Sequence, residues 1–336
     1  MSTNTSTPSS TNTGTNSSTE INLQAEVPDN LSGSRLDQIA AILFPDYSRA
    51  RLQTWIKDGS LLVNDQQLRP KDRVNSGDNL VVEAILAKVD DWAPEPVPLN
   101  IVFEDEHLIV LNKATDTVVH PAAGHHDGTL LNGLLHHCPA LEELPRAGIV
   151  HRLDKDTTGL MVVAKTLPSH TSLVRQLQAR DIAREYQAVV QGVLTGGGTI
   201  DEPLDRHPVN RKKRAVVHDG QDAVTHYRLI RRYRAHSHVW VKLETGRTHQ
   251  IRVHMAHRNY PLVGDPLYGG RLQIPAGCSE ELRATLKGFR RQALHATRLA
   301  LAHPVSGEEI SWEAPRPDDM ELLLAALTAD QELVDG

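Results

Sequence analysis

Residues 148–165, GIVHRLDKDTTGLMVVAK, constrain the fold of this chain more than any other segment. Two apolar runs rich in β-branched side chains, 148–153 and 160–164, are typical of strands. The polar loop between them carries Asp154 and Asp156 together with two threonines and a glycine. This pattern predicts a pair of strands that holds a carboxylate at the rim of a rigid sheet. Taken alone, so short a loop favours the alternative, in which the two aspartates only close a turn.

A second informative segment, residues 238–255, joins a strand to a helix. Residues 238–243 alternate in the manner of a strand with one buried face, and Ile251 and Met255 then lie one helical turn apart. Arg247 therefore lies where the strand passes into the helix, a place where side chains can converge on a cleft. The alternative is an ordinary connection with a solvated arginine.

The N-terminal third of the chain changes character twice. Residues 1–20 are almost entirely Ser, Thr and Asn, which lack the apolar side chains that offset the entropy of ordering, so we expect disorder there. Residues 33–86 predict two short helices followed by a small sheet. Ser48 is a suitable N-cap for the second helix, which leaves Arg49 and Arg51 free for an external partner. The expected core positions recur at helical spacing: Leu36, Ile39, Ala40, Leu43, Leu52, Trp55 and Ile56.

The remainder of the chain predicts one larger domain. Residues 87–99, with three alternating prolines, indicate a semi-rigid linker. In residues 100–325, predicted helices lie between strands without regular βαβ alternation. We therefore expect an α+β fold with a largely antiparallel mixed sheet. Residues 326–336 are expected to form an acidic C-terminal tail.

Composition excludes several classes of protein. The two cysteines are too few for a disulfide framework, and no apolar run approaches the length of a membrane span. The N-terminus lacks the basic and apolar regions of a signal peptide. We therefore expect a cytoplasmic protein. The net charge of −6 argues against indiscriminate binding of polyanions. Local patches must therefore make any contact with nucleic acid, and residues 206–214 supply one, with five Lys or Arg and no acid.

The 18 histidines raise the question of a metal site. Neither a metalloprotease HExxH nor a paired CxxC arrangement occurs, so we expect no metal. We interpret the densest groups as hydrogen-bonding or RNA-facing residues: His136, His137 and Cys138, and His249, His254 and His257.

Four motifs then identify a family. HRLDKDTTG (151–159), REYQAV (184–189), GRTHQIRVH (246–254) and QALHA (292–296) resemble the pseudouridine synthases that act on ribosomal and transfer RNA. The segment 33–86 resembles the S4 RNA-binding domain that precedes the catalytic domain in some of these enzymes. The resemblance covers about residues 33–325. It implies the pseudouridine synthase catalytic fold, with no cofactor because the reaction is an isomerisation.

The resemblance also implies roles for individual residues. Asp154 would act at the glycosidic bond, either as a nucleophile at C1′ or as a base that removes the C2′ proton, and the residues leave both routes open. Arg247 would pair with Asp154. Tyr186 would stack on the displaced uracil and assist proton movement at C5, although an aromatic in a strand also fits plain core packing. Leu294 would form an apolar wall under the base, and Arg152 would brace the loop or meet phosphate.

The ribosomal branch of the family implies 23S ribosomal RNA, or a precursor of the large subunit, as partner, with several uridines of the helix 69 stem-loop as targets. We expect the protein to act as a monomer away from membranes. Phosphate contacts would come from the S4 domain and from the basic segment: Arg49, Arg51, Arg211, Lys212, Lys213 and Arg214. A synthase directed at transfer RNA is the milder alternative. A non-enzymatic assembly factor and a glycosidase that uses Asp154 with Asp156 are the more distant ones.

Overall fold

The computed structural model describes residues 19–45, 47, 49–86, 92–121 and 127–335. The chain forms two compact units that meet in sequence between Asp91 and Trp92. The predicted disorder of residues 1–20 falls outside the described residues except at Thr19 and Glu20, which begin a strand. The proposed cap, Ser48, also lies outside them.

The first unit contains the two predicted helices and a three-stranded antiparallel sheet. Its elements are β1 (Thr19–Glu26), β2 (Ser34–Arg35), α1 (Leu36–Leu43), α2 (Arg49–Asp58), β3 (Leu61–Val63), β4 (Arg73–Val74) and β5 (Asn79–Leu86). Strand β5 is central, between β1 and β3, and all seven predicted core side chains are buried or half-buried against this sheet.

Strand β1 extends the first unit beyond the predicted limit at residue 33. It pairs with β5 along its whole length, from Thr19 opposite Leu86 to Glu26 opposite Asn79. Ile21, Leu23 and Ala25 pack on the core, while Asn22 and Gln24 face solvent. This alternation of apolar and polar residues is the local signal for a strand that the composition of the preceding tail obscured.

The second unit is built on a nine-stranded sheet in which only β15 and β8 run parallel. The expectation of an α+β fold with a largely antiparallel sheet is confirmed. The strand order is β10-β13-β14-β9-β15-β8-β7-β6, with β16 also paired to β15. The elements are β6 (Ile101–Glu104), β7 (Leu108–Lys113), α3 (Leu130–His137), β8 (Thr158–Ala164), α4 (Leu167–Ala179), β9 (Ala183–Gln191), β10 (Gly198–Asp201), β11 (Leu204–Arg206), β12 (Arg214–Val216), β13 (Val224–Arg232), β14 (His236–Leu243), α5 (Gln250–His257), α6 (Glu280–Gly288), β15 (Leu294–Ala302), β16 (Glu309–Glu313) and α7 (Asp318–Asp335).

Helices cover both faces of this sheet. Thr129 caps helix α3, because its side chain accepts a hydrogen bond from the Asn132 backbone, and the helix packs its leucines into the larger core. Helix α4 buries Leu173 against the opposite face of β7 and β8. Among the described residues, no helix has both the length and the apolar content of a membrane span.

Two local predictions were wrong. Residues 148–153 form no strand: Gly148 has φ +76°, and the pairing with β8 is an isolated bridge between Ile149 and Val163. The predicted acidic tail is the second half of helix α7. Residues 87–91 of the predicted linker lie outside the described residues, and the Asn132 side chain and backbone bond residues 93 and 95 to α3.

Candidate active site

Hydrogen bonds hold the loop that carries Asp154 to the end of β7 and to the residues before β15. Lys113, the last residue of β7, donates a hydrogen bond from Nζ to the Lys155 carbonyl at 2.7 Å. Gln292, which precedes β15, donates from Nε2 to Thr157 Oγ1 at 2.9 Å. These contacts fix the backbone on both sides of the loop, so Asp154 is held at the end of a rigid sheet with a side chain that is 15% exposed.

Lys113 is a buried cation beneath this loop. Its Nζ donates to three backbone carbonyls, which satisfies all three of its protons. Burial lowers the pKa of Lys113 to about 8, although the nearby charges of Asp156 and Asp154 raise it. The lysine therefore stabilises the loop by hydrogen bonds and adds positive charge on the inner side of the two aspartates.

Arg252, in the first turn of α5, is the guanidinium that contacts Asp154. Its Nη1 lies 2.8 Å from Asp154 Oδ2, while its Nε and Nη2 bind the two oxygens of Asp265 at 2.7 and 2.9 Å. Burial alone would lower the pKa of Arg252, but the hydrogen bonds and charges of the two aspartates raise it. Asp265 is fully buried and holds the guanidinium in one orientation, which in turn orients Asp154.

The expected pairing of Arg247 with Asp154 is wrong. Arg247 is exposed, and its Nε donates instead to the Asp222 carbonyl at 3.0 Å. The reason is the start of the helix: Gln250 Oε1 accepts the Arg247 backbone N–H, so Arg247 lies in the turn before α5. Arg252, two residues into the helix, points towards the core.

Sequence reasoning missed both Arg252 and Asp265. An arginine between Ile251 and Val253 in an apolar helical segment was a usable signal, because a buried arginine needs a carboxylate partner. Asp265 gave no comparable signal, since Asp-Pro is an ordinary start of a turn.

Tyr186 and Leu294 share the core next to the Asp154 loop. Tyr186 lies on β9 opposite Ala296 of β15, and Leu294 lies on β15 opposite Ala188 of β9. Both side chains are about 95% buried, at 5% and 4% exposure. Burial raises the pKa of the Tyr186 hydroxyl, the charge of Arg184 lowers it and that of Asp154 raises it. The hydroxyl is therefore within electrostatic reach of the carboxylate.

The basic segment lies on the β11–β12 hairpin and in the turn between its strands. Arg211 and Lys212 of this segment are exposed, as is Arg152 outside it. Lys213 Nζ lies 5.7 Å from the centroid of the Tyr268 ring. Arg214 Nη1 lies 3.7 Å from Asp205 Oδ1. The hairpin borders a cleft of about 200 Å³ that Arg247 also lines. The cleft is lined by Leu204, Asp205, Arg214, Gln221, Gly246, Arg247 and Thr248.

In the first unit, the arginines of α2 make contacts within the protein. Arg49 Nη2 donates to Asp37 Oδ2 at 2.7 Å, and the Asp37 side chain is fully buried. Arg51 also interacts within the protein. The Arg49 side chain remains 49% exposed, so it reaches solvent while it neutralises a buried carboxylate.

Across the described part of the chain, no group of three or more His, Cys, Asp or Glu side chains is arranged to hold a metal ion. Two histidines of the predicted groups are hydrogen-bonded to protein groups in the described part of the chain. His137 bonds Glu104, and His254 bonds Thr225 and the Glu202 carbonyl.

Comparison with known proteins matches both parts of the chain to families. A model of the RNA pseudouridylate synthase family matches residues 107–257, and a model of the S4 domain matches residues 34–80. The chain is 60% identical to the ribosomal large subunit pseudouridine synthase D of Pseudomonas aeruginosa, over 93% of this chain and 98% of that protein. It is 54% identical to the protein of the same name from Escherichia coli K12, over 92% and 95%.

Solved structures share the fold. Human RNA pseudouridylate synthase domain containing 4 is 25% identical with a TM-score of 0.53, over 68% of this chain and 93% of that one. Human RNA pseudouridylate synthase domain containing 1 is 23% identical with a TM-score of 0.52, over 70% and 96%. With matching motifs, a matching fold and near full-length relatives, the chain belongs to the RNA pseudouridylate synthase family, among the ribosomal large subunit pseudouridine synthases D.

Proposed function

We propose that this protein isomerises uridines to pseudouridine in large-subunit (23S) ribosomal RNA, with Asp154 as the group that acts at the glycosidic bond. The observation that carries the proposal is the fixed orientation of the Asp154 carboxylate. Arg252, which the buried Asp265 holds in place, binds Asp154 Oδ2 at 2.8 Å and leaves Oδ1 available. The relatives that bear the name of a large-subunit synthase support the choice of RNA.

The chemistry needs one oriented carboxylate beside the ribose. Asp154 either attacks C1′ as the N1–C1′ bond breaks, or removes the C2′ proton to give a glycal. In both routes uracil leaves with the bonding electrons and turns. In the first route C5 then displaces the aspartyl ester from C1′, and in the second C5 bonds to C1′ as C2′ takes back the proton that Asp154 holds. The C5 proton is then released and N1 is protonated. The positive charge of Arg252 stabilises the ionised carboxylate before it acts and again after it is regenerated.

Tyr186 and Leu294 would form the walls of the uracil site. Their position in the core beside the loop suits a flat apolar base, and the Tyr186 hydroxyl would assist proton movement at C5. The base must leave its stack to enter, which costs a few kcal/mol and least in an RNA loop. A stem-loop such as helix 69 therefore suits this site.

Contacts with phosphate would offset the cost of displacing the base. The hairpin with Arg211, Lys212, Lys213 and Arg214, together with exposed Arg152, forms a basic surface on the second unit. The S4 domain would add contacts through Arg49 and Arg51 of α2. These contacts position the RNA without reading its sequence. A ribosomal RNA substrate also places the working protein in the cytoplasm, where we expect a monomer.

The test is tritium release from C5-labelled uridine in 23S ribosomal RNA taken from cells that lack the modification. The wild-type chain is expected to release tritium, and Asp154→Asn is expected to release none while still binding RNA. Asp156→Asn, in the same loop, is the matched control and should retain activity. Binding without release by the wild-type chain would favour an assembly factor, and free uracil as product would favour a glycosidase.

A further inference from the structure

The imidazole of His249 lies between the candidate catalytic carboxylate and a tyrosine hydroxyl. His249 Nε2 is 3.9 Å from Asp154 Oδ1, the oxygen that Arg252 does not bind. On its other side, His249 Nδ1 is 2.8 Å from the Tyr268 hydroxyl. The His249 and Tyr268 rings meet edge to face at 5.6 Å. The ring is therefore fixed in a direction that points Nε2 at the carboxylate.

The hydrogen bonds of Tyr268 determine which nitrogen of His249 carries the proton. The backbone N–H of Arg214 donates to the Tyr268 oxygen at 2.8 Å. The hydroxyl proton of Tyr268 needs an acceptor, and His249 Nδ1 lies within hydrogen-bonding distance of that oxygen. We take Nδ1 as this acceptor, so that a neutral His249 carries its proton on Nε2.

Two further observations agree with this tautomer. A bare Nε2 lone pair would face the negative Asp154 oxygen, whereas an N–H group there is attracted to it. Burial lowers the pKa of His249, although Asp154 opposes the effect, so the neutral ring is favoured. The backbone of His249 also has φ +60°, an uncommon conformation for a residue other than glycine that persists when the surroundings determine it.

We propose that His249 is a positioning residue for the reaction, donating from Nε2–H to Asp154 Oδ1 when RNA closes the site, with Tyr268 fixing its tautomer. The inference rests on the proposed function of Asp154. At 3.9 Å the free protein does not form this hydrogen bond, and such contacts tighten when substrate binds. Arg252 and His249 then hold one carboxylate oxygen each, so Asp154 keeps one orientation through the cycle.

A matched pair of variants tests the position of the donor. In His249→Gln the amide nitrogen reaches the place of Nε2, whereas in His249→Asn it reaches only the place of Nδ1. We expect His249→Asn to lower kcat about 10- to 100-fold at unchanged KM, as for a hydrogen bond to a charged group, and His249→Gln to retain most activity. Asparagine suits the left-handed backbone better, so an effect on folding alone would have the opposite order. Equal kcat values for the two variants would overturn the proposal.

A second variant tests the role of Tyr268. Tyr268→Phe is expected to lower kcat in the wild-type background and to have no further effect in the His249→Asn background, because Tyr268 acts only through the Nε2–H donor that His249→Asn has already removed. Independent, additive losses would contradict the proposal.

A spectroscopic measurement separates this inference from the proposed function. In the full chain with ¹⁵N-labelled histidine, the His249 signals, assigned by their loss in His249→Asn, should show the neutral Nε2–H form. An Nδ1–H form would overturn the inference whatever the activity. An inactive wild-type chain with the Nε2–H form would instead contradict the proposed function.

Discussion

Replacing Asp265 by asparagine removes the buried charge that orients Arg252. Asp265 is fully buried and accepts hydrogen bonds from Arg252 Nε and Nη2 and from the backbone N–H groups of Leu267 and Tyr268. An asparagine keeps the volume and one accepting oxygen, but its NH₂ group faces a donor. At least one of the two contacts with Arg252 then sets an N–H group against an N–H group.

The size of the loss follows from the burial of the pair. Removing one partner of a buried ion pair costs about 3–5 kcal/mol, because the other charge is left uncompensated. Arg252 is only 4% exposed, yet it keeps Asp154 as a second carboxylate at 2.8 Å. We therefore expect Asp265→Asn to lower the free energy of unfolding of the second unit by about 3 kcal/mol, the lower end of that range.

Urea unfolding followed by tryptophan fluorescence measures this loss. A Trp55→Phe background leaves tryptophans only in the second unit, at positions 92, 240 and 312. Glu280→Gln is the control, since Glu280 is 89% exposed in its pair with Arg283 and an exposed pair contributes about 0–1 kcal/mol. A loss for Asp265→Asn no larger than that of the control would refute the argument that Asp265 compensates the charge of Arg252.

Two other perturbations test the charge assignments. Burial raises the pKa of Asp37, but hydrogen bonds from Arg49, Arg35 and Gln53 lower it from 3.8 to about 2, so its stabilising contribution is present above pH 3.8 and is lost as pH falls towards about 2. In a chain whose only tryptophan is Trp55, urea unfolding should show that the free energy of unfolding falls at low pH when Asp37 is present. The same chain with Asp37→Asn should not show this fall. Arg247→Gln should retain kcat but reduce the slope of log binding constant against log salt by about 0.7–0.9, as for one phosphate contact. Arg258→Gln, at the exposed end of α5, should leave that slope unchanged, and a loss of kcat in Arg247→Gln would restore a catalytic role for Arg247.

Much of the architecture was predictable because it depends on neighbouring residues. Helix α3 follows from Thr129 as cap and the leucines behind it, and β14 from its alternation, since periodicity and capping act over a few residues. The motif around Asp154 likewise identified the loop that holds the candidate catalytic carboxylate. These features are encoded where they occur in the chain.

The tertiary structure decided which side chains meet. Asp154 and Arg252 are 98 residues apart, and whether Arg247 or Arg252 reaches the carboxylate depends on where α5 begins and which way its first turn faces. The same holds for residues 148–153, which look like a strand in the sequence, whereas their pairing with β8 is an isolated bridge between Ile149 and Val163. Local sequence sets the conformation of each element, but the packing of distant elements sets the partners of a buried charge, because desolvation makes an unpaired one too costly.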